Sequence, residues 1–172
     1  MASLYKQSVP VFTKYLHNLS AIVKKGETFA NEKSIKHDEI LNYRLISDMK
    51  GLIYQVQSCC DTAVWYVDRV GGLKHVAVED NETTFDQLYQ RIERTIAYLD
   101  EVEPRALDDK ADAKVLMETK SMGNFQFTGQ AYLSEFSIPN FHFHLSTAYC
   151  ILRTQGVQIG ALDYLKDVFH KV

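Results

Sequence analysis

The sequence is poor in cysteine, with three among 172 residues, and two of these are adjacent at Cys59 and Cys60. An odd number of cysteines is not the pattern of a disulfide framework, and an adjacent pair suits neither an ordinary disulfide nor a tetrahedral zinc site. We therefore predict that Cys59, Cys60 and Cys150 are reduced thiols, which fill apolar space rather than react.

The sequence also lacks an excess of basic residues, with 19 Lys and Arg against 22 Asp and Glu and a net charge of −3. This balance argues against nucleic acid as a partner. The opening residues, MASLYKQSVPVF, lack the apolar stretch and cleavage site of a secretory signal, so we expect a cytoplasmic protein. The longest uncharged run, 136–152, contains Asn140 and two histidines, which argue against a membrane span.

The commoner catalytic signatures are missing as well. The sequence has no glycine-rich phosphate loop, no GxSxG elbow, no HExxH pair and no CxxC pair. Any chemistry must therefore come from residues that the fold brings together. The length and a hydrophobic content of 46% fit one domain over residues 1–172 with an ordinary core.

Apolar residues at alternating spacings of three and four predict two amphipathic helices in the first part of the chain. The first helix starts near Val9 and ends at Gly26. The second helix starts near Met49 and ends at the glycine pair that begins with Gly71. Each helix has one apolar face, and these faces predict a helical core.

A third helix is predicted to begin at a cap, Thr83 or Thr84, and to end before Pro104. The helical period is then lost. The segments KVLMET and NFQFTG, separated by Lys-Ser-Met-Gly, predict a short hairpin or an irregular crossover.

A fourth helix is predicted from a cap at Ser137, with Pro139 in its first turn and Gly156 at its end. The last segment, ALDYLKDVFHKV, predicts a tail helix packed on the outside. Together these elements predict an all-α, four-helix bundle with a crossover between helices three and four and a C-terminal tail helix.

Polar residues on two of these helices are the candidate functional groups. On a helix, Asn140 and His144 are one turn apart and face the same way, whereas His142 lies on the opposite side and has a structural role. Gln57 and Asp61 form a similar pair on helix two. Each position also has a simpler interpretation: His144 as a hydrogen-bonded histidine at the edge of the core, and Gln57 with Asp61 as a solvated flank.

Two stretches resemble a known superfamily. The run PNFHFHLSTAYCILRTQGVQIGALDYL in the fourth helix and YQVQSCCDTA in the second resemble an uncharacterised family of the DinB-like, YfiT-like helical bundles. The resemblance implies a four-helix bundle with a crossover, and often a homodimer. It also implies a divalent metal held by one His on the second helix and a His-x-x-x-His on the fourth. Some members are thiol-dependent transferases or isomerases.

The metal positions implied by this resemblance are only partly filled with histidine. Counting back from Leu152 and Arg153, the second His of the pattern falls at His144, and the first falls at Asn140. The His of the second helix falls near Gln57. If a metal were bound, Gln57, Asn140 and His144 would hold it. Because amide oxygens are poor partners for zinc or nickel, we expect no metal or other cofactor.

These residues favour a small-molecule enzyme without a metal. In this hypothesis His144 is the catalytic acid or base for an isomerase- or lyase-type proton transfer beside a carbonyl. Asn140, Gln57 and Asp61 bind the substrate, an apolar or aromatic small molecule. One alternative is a metal-dependent hydrolase or a glutathione-type thiol S-transferase. Another is a non-catalytic ligand-binding or stress-related bundle.

Two further residues near the end of the fourth helix are expected to be structural. Arg153 and Tyr149 would tie this end of the helix to the tail around Asp163 through a charged hydrogen bond.

Overall fold

The computed structural model describes residues 3–119 and 121–169 of the chain. Within those ranges, four long helices surround the core, and a two-stranded antiparallel sheet lies between the third and the fourth. The predicted all-α bundle with a crossover is therefore confirmed, with the sheet as a small addition. The elements are α1 (Leu4–Lys33), α2 (His37–Leu41), α3 (Leu52–Gly71), α4 (Phe85–Asp100), β1 (Lys114–Thr119), β2 (Gly123–Thr128), α5 (Gly129–Ala131), α6 (Ile138–Thr154) and α7 (Ala161–Tyr164).

The first helix does not end at Gly26, as predicted, but continues to Lys33, where Ser34 adopts the left-handed conformation at its end. Gly26 is buried in the helix and faces α6. A Cβ at this position would lie 2.6 Å from Cδ2 of Leu152. The glycine therefore allows α1 and α6 to approach closely, and the sequence pattern did not distinguish this role from a helix stop.

The second and third predicted helices are confirmed, with small changes at their starts. α3 begins at Leu52 rather than near Met49, and it ends at Gly71, before Gly72, whose φ of 68° places it in the left-handed region. α4 begins after Thr84, whose hydroxyl accepts a hydrogen bond from the backbone N–H of Gln87 while the Gln87 side chain bonds back. This capping box selects Thr84 over Thr83 as the cap.

The crossover contains the predicted hairpin. β1 pairs antiparallel with β2, and Thr119 lies opposite Gly123 at the turn. The side chains of Val115 and Met117 are buried, whereas Leu116 between them is 53% exposed. One face of β1 therefore covers the bundle and the other faces away from it.

α6 begins directly after Ser137 and has Pro139 in its first turn, as predicted, but the Ser137 side chain makes no capping hydrogen bond and helical winding already precedes it. Thr128 caps α5 by accepting a hydrogen bond from the N–H of Ala131, and helical winding continues through a π-helical segment, Tyr132–Ser137, into α6. Pro139 has no N–H and its ring crowds the carbonyl four residues earlier, and the wider winding directly precedes it. Ser137 is fully buried in this continuous helix.

The core lies where α3 packs against α1, α4 and α6. The predicted tail helix is one turn long, since α7 covers only Ala161–Tyr164, and the end of the predicted helix, 170–172, lies outside the described residues. Asp167 has a φ of 63°, which is incompatible with a continuing helix. In the described ranges, no helix has both the length and the apolar character that crossing a membrane requires.

Candidate active site

A cleft between α3 and α6, bordered by β1 and the hairpin turn, contains all the candidate residues of both helices. Its volume is about 510 Å³, within the usual range for small-molecule sites. We call it the α3–α6 cleft. The structure brings together at its wall Gln57, Asp61, Asn140 and His144. The apolar part of the wall includes Tyr54, Trp65, Met117 and Phe136.

His144 is held in the cleft by a residue that the sequence did not single out. Its Nδ1 lies 2.8 Å from Oε1 of Gln55, and Nε2 of Gln55 donates to the backbone carbonyl of Lys50 at 3.0 Å. Because a carbonyl only accepts, the second bond fixes the orientation of the Gln55 amide. Oε1 of Gln55 therefore accepts, and Nδ1 of His144 carries the proton.

The opposite nitrogen of this ring, Nε2, is the one that remains for a ligand. With a proton on Nδ1, the neutral ring has its lone pair on Nε2. That atom has no hydrogen-bond partner in the part of the chain that the structure describes. Burial lowers the pKa of His144 below its ordinary value, so the ring is neutral near pH 7. His144 thus offers a proton acceptor to a ligand in the cleft.

Asn140 lies one turn before His144 and is fixed from α3. Its Nδ2 donates to the hydroxyl of Thr62 at 2.8 Å, and that hydroxyl donates to the carbonyl of Ser58 at 2.6 Å. The amide of Asn140 keeps a second N–H and a carbonyl oxygen beside the cleft. This part of the site can therefore donate a hydrogen bond to a ligand oxygen.

Gln57 and Asp61 do not bond to each other but to a buried charged cluster. The guanidinium of Arg91, only 3% exposed, lies 2.6 Å from Asp61, 3.1 Å from Asp80 and 3.0 Å from Glu82. Gln57 donates to the other oxygen of Glu82 at 2.8 Å. The interpretation of Gln57 and Asp61 as a solvated flank is therefore wrong, because their polar atoms join α3 to α4.

The cluster leaves three carboxylates around one guanidinium. Burial raises the pKa of Asp61, and Arg91 opposes this effect. Burial also acts to raise the pKa of Glu82, but hydrogen bonds from Gln57 and Arg91 outweigh it and hold that pKa below its usual value. The carboxylates hold the pKa of Arg91 above its ordinary range. Arg91 is thus permanently charged and fixes the α3 wall of the cleft.

The remaining predicted residues lie outside the α3–α6 cleft. His142 faces α1 and the tail, with Nδ1 2.9 Å from the hydroxyl of Tyr164, and burial lowers its pKa. Tyr149 donates to the carbonyl of Ile159 at 3.4 Å, so it ties α6 to the tail as predicted. Arg153 donates to the carbonyl of Val157 at 2.9 Å.

The predicted charged bond to the tail is formed by another residue. Asp163 pairs with Lys25 on α1, and its second carboxylate oxygen accepts from the N–H of Gly160 at 2.8 Å. Both partners hold the pKa of Asp163 below its usual value. The tail is therefore fixed to α1, and the expectation that it would be fixed by the end of α6 through Asp163 is wrong.

The thiols lie away from the candidate site. All three cysteines are free, as predicted. Cys59 and Cys60 are fully buried in the core, and burial raises the pKa of Cys60 to about 12. Cys150 is exposed, so it does not fill the core as expected. None of these three side chains lines the α3–α6 cleft.

Arg91 and Gln55 are the functional-site residues that sequence reasoning missed. Arg91 falls on the apolar stripe of α4, between Leu88 and Thr95 at spacings of three and four, and all three are buried. A charged residue on such a stripe indicates a buried ion pair. Gln55 lies one turn before the buried Cys59, on the side of α3 that faces α6. A polar residue on that buried side of α3 was the signal that the sequence offered.

The residues at the metal positions do not fit a tight divalent-metal site. Gln57 and Asn140 donate their amide nitrogens to Glu82 and Thr62, which leaves two neutral amide oxygens and one imidazole nitrogen, that of His144. Zinc and nickel prefer imidazole, thiolate or carboxylate ligands. Across residues 3–119 and 121–169, no three or more His, Cys, Asp or Glu side chains are grouped to hold a metal ion.

Comparisons with known proteins agree with the fold. The family described as a domain of unknown function (DUF1993) matches residues 4–165. Among solved structures, the crystal structure of a DinB family member protein from Shewanella denitrificans at 1.83 Å resolution is 38% identical, with a TM-score of 0.87. The similarity covers 98% of this chain and 95% of that chain. No curated protein matches the chain.

Proposed function

The chain belongs to the DUF1993 family and shares its fold with a DinB family member, and on that premise we propose that it catalyses metal-free proton transfer beside a carbonyl group. The substrate is an apolar or aromatic small molecule bound in the α3–α6 cleft. The proposal rests on the tautomer and the charge of His144. Its tautomer is fixed by Gln55, its ring is kept neutral by burial, and its Nε2 is left without a partner among the described residues.

In the chemical step, one proton moves from a substrate carbon to His144 and then returns to carbon. Nε2 of His144 takes the proton from the carbon next to the substrate carbonyl, and the electron pair of that C–H bond forms an enolate. The second N–H of Asn140 donates to the enolate oxygen and stabilises its charge. The proton then returns from Nε2 to carbon. In a substrate with a β,γ double bond, the enolate is conjugated and the proton can return to the γ carbon, which gives an isomer without an oxidant or a second substrate.

The spacing and the wall of the cleft support this assignment. Side chains one turn apart on a helix have Cβ atoms about 5 to 6 Å apart, which leaves room for a carbonyl group between His144 and Asn140. Tyr54 and Trp65 offer aromatic surface for the rest of the substrate. A cleft of about 510 Å³ also favours this function over a bundle whose polar cluster leaves no room for a ligand.

Hydrogen–deuterium exchange tests the proposal with simple ketones in place of the natural substrate. The probes are phenylacetone and 2-indanone in D₂O, and loss of the C–H signal next to the carbonyl is followed by NMR after dialysis against a chelator. We expect the protein to accelerate exchange at least about 100-fold over the His144→Gln variant, the usual contribution of a general base. Asn140→Ala should slow exchange as well.

A matched control separates this chemistry from the fold. His17 is exposed on α1, far from the cleft residues in sequence, and His17→Gln should keep the wild-type rate. Equal exchange rates in the wild type and in His144→Gln would overturn the proposal. Elemental analysis of the same proteins before any chelator is added tests for a metal. About one metal ion per chain that is absent from His144→Gln would instead favour a metal-dependent hydrolase or transferase.

A further inference from the structure

A second cleft lies between α3, α4 and the segment that joins them. Its volume is about 570 Å³, and Val64, Val76 and Val78 give it a mainly apolar wall. We call it the α3–α4 cleft. Arg91, the centre of the buried charged cluster, borders this cleft, while Asp61 on the other side of the cluster borders the α3–α6 cleft. A smaller space of about 230 Å³ is bordered by residues of both clefts, including Asp61, His75 and Arg91.

His75 is fixed at the edge of this second cleft by a carboxylate. Its Nδ1 contacts Oδ2 of Asp68, and the other oxygen of Asp68 accepts a hydrogen bond from the hydroxyl of Tyr98 at 2.6 Å. Tyr98 and His75 both border the cleft. Because an ionised carboxylate only accepts, Nδ1 carries a proton, and Nε2 is the ring nitrogen that remains for a ligand.

The free nitrogen determines which ligand fits. Nε2 of His75 has no hydrogen-bond partner among the residues that the structure describes, and the His75 side chain is 24% exposed. A ring nitrogen at the edge of an apolar space requires a ligand with a polar group on an apolar body, and a hydroxyl group can donate to or accept from that nitrogen. Arg94 also borders the cleft, and of its guanidinium only Nε has a bonded partner among those residues, the carbonyl of Gln90. Glu79 borders the cleft as well, so the two opposite charges favour a neutral hydroxyl, such as that of a phenol, over an ionised group.

We propose that the α3–α4 cleft is a second small-molecule site, which binds an apolar phenol through a hydrogen bond between its hydroxyl group and Nε2 of His75. Asp68 is a positioning residue, because it fixes the orientation of the ring from outside the cleft, and Tyr98 holds Asp68 in place. The site is independent of His144, so neither the success nor the failure of the exchange experiment bears on it.

Three probes of one shape test the proposal. p-Cresol, toluene and 4-methylbenzoate share a methyl-substituted ring and differ only in a hydroxyl, a hydrogen or a carboxylate. Binding is followed by NMR through the methyl signals of Val64, Val76 and Val78. We expect p-cresol to bind about five times more tightly than toluene, the fold-change that one hydrogen bond of about 1 kcal/mol provides. We expect 4-methylbenzoate to bind more weakly than p-cresol.

Variants assign the preference to the histidine. His75→Phe keeps an aromatic ring and should bind p-cresol and toluene equally, while His17→Phe, on the exposed face of α1, should keep the preference. Asp68→Ala frees the ring of His75 and should reduce the preference while leaving toluene binding unchanged. Equal binding of p-cresol and toluene to the wild type overturns the proposal. A preference that survives in His75→Phe, or tighter binding of 4-methylbenzoate, overturns it too.

Discussion

The two histidines beside α3 are both held through Nδ1, by partners of different charge. Gln55, a neutral amide in the first turn of α3, holds Nδ1 of His144. Asp68, a carboxylate in the last turn of the same helix, holds Nδ1 of His75. These two residues are about 140° apart around the helix, so one helix orients two rings on different sides of the bundle.

The orientation of a histidine ring and its charge are therefore set by separate properties of its partner. An amide fixes a ring without offering a counter-charge, so burial alone acts on His144 and lowers its pKa. The ring stays a neutral base, which suits removal of a proton from carbon. A carboxylate fixes the ring and would also face any positive charge on it, which suits a hydroxyl ligand that shares its proton with His75.

The charged cluster around Arg91 is the feature at which we expect the largest effect of a substitution. Arg91→Met should destabilise the protein by about 3 to 5 kcal/mol, because it leaves the carboxylate of Glu82, which is 3% exposed, without its cation. Equilibrium urea unfolding measures this cost. Arg94→Met, at an exposed arginine of the same helix, is the matched control and should change stability by about 0.5 kcal/mol or less.

The pH dependence of that cost identifies its cause. The pKa of Glu82 is lower in the folded protein than in the unfolded chain. Glu82 therefore stabilises the wild type at pH values above its pKa in the unfolded chain, and this stabilisation is lost as the pH falls through its pKa in the folded protein. The difference between wild type and Arg91→Met should therefore shrink in acid below about pH 4.5, the ordinary pKa of a glutamate. A difference that stays constant well below that pH would contradict the assignment to buried carboxylates.

The sequence predicted the bundle better than it predicted the partners within it. Periodicity predicts which residues face the core, and it was correct for α3 and α4 because their caps, Gly72 and Thr84, lie at the ends of clear apolar stripes. It failed at Gly26, because a glycine that allows close packing has the same local signature as one that ends a helix. That difference depends on Leu152, which is distant in sequence.

The same limit applies to the candidate site. Helical spacing alone indicated that Asn140 and His144 share a face, and the structure places both at one cleft. The orienting residue Gln55 and the cation Arg91 come from other helices, at separations that no local pattern contains. A residue's tautomer and charge environment are tertiary properties, so the sequence could indicate the group but not its chemical state.

A change at the α1–α6 contact should affect the surroundings of His144 but not those of His75. Gly26→Ala places a methyl 2.6 Å from Cδ2 of Leu152, which is fully buried and would have to move. Overpacking of this kind costs about 1 to 3 kcal/mol, and the better helix propensity of alanine returns about 1 kcal/mol. We expect a net loss of about 1 kcal/mol in urea unfolding.

The location of the change can be read from NMR shifts. α6 should move, so the ring signals of His144 should shift while those of His75, whose contacts are with α3 and α4, should not. Gly160→Ala is the matched control, since nothing lies within 4 Å of a Cβ there, and it should stay within about 0.5 kcal/mol of the wild type. Equal shifts at both histidines would show that the two sides are not independent.

The smallest change makes the partner of His144 like that of His75. Gln55→Glu replaces the amide with a carboxylate that accepts from Nδ1 at the same place, 2.8 Å away in the wild type. An opposite charge at this distance favours the protonated ring, so the pKa of His144 should rise, by about 1 to 3. NMR titration of the ring measures it, and Gln55→Met, which removes the bond without adding charge, should leave the pKa below its ordinary value.

Gln55→Glu also tests which property of His144 matters for the proposed chemistry. A higher pKa means that more of the ring is protonated near pH 7, and a protonated ring cannot accept a proton from carbon. Exchange of the ketone probes in Gln55→Glu should therefore fall at pH 7 and recover as the pH is raised above the new pKa. In Gln55→Met the ring stays neutral but can rotate, so its lower rate should not recover at any pH. If both variants kept the wild-type rate, neither the tautomer nor the neutral state of His144 would be required.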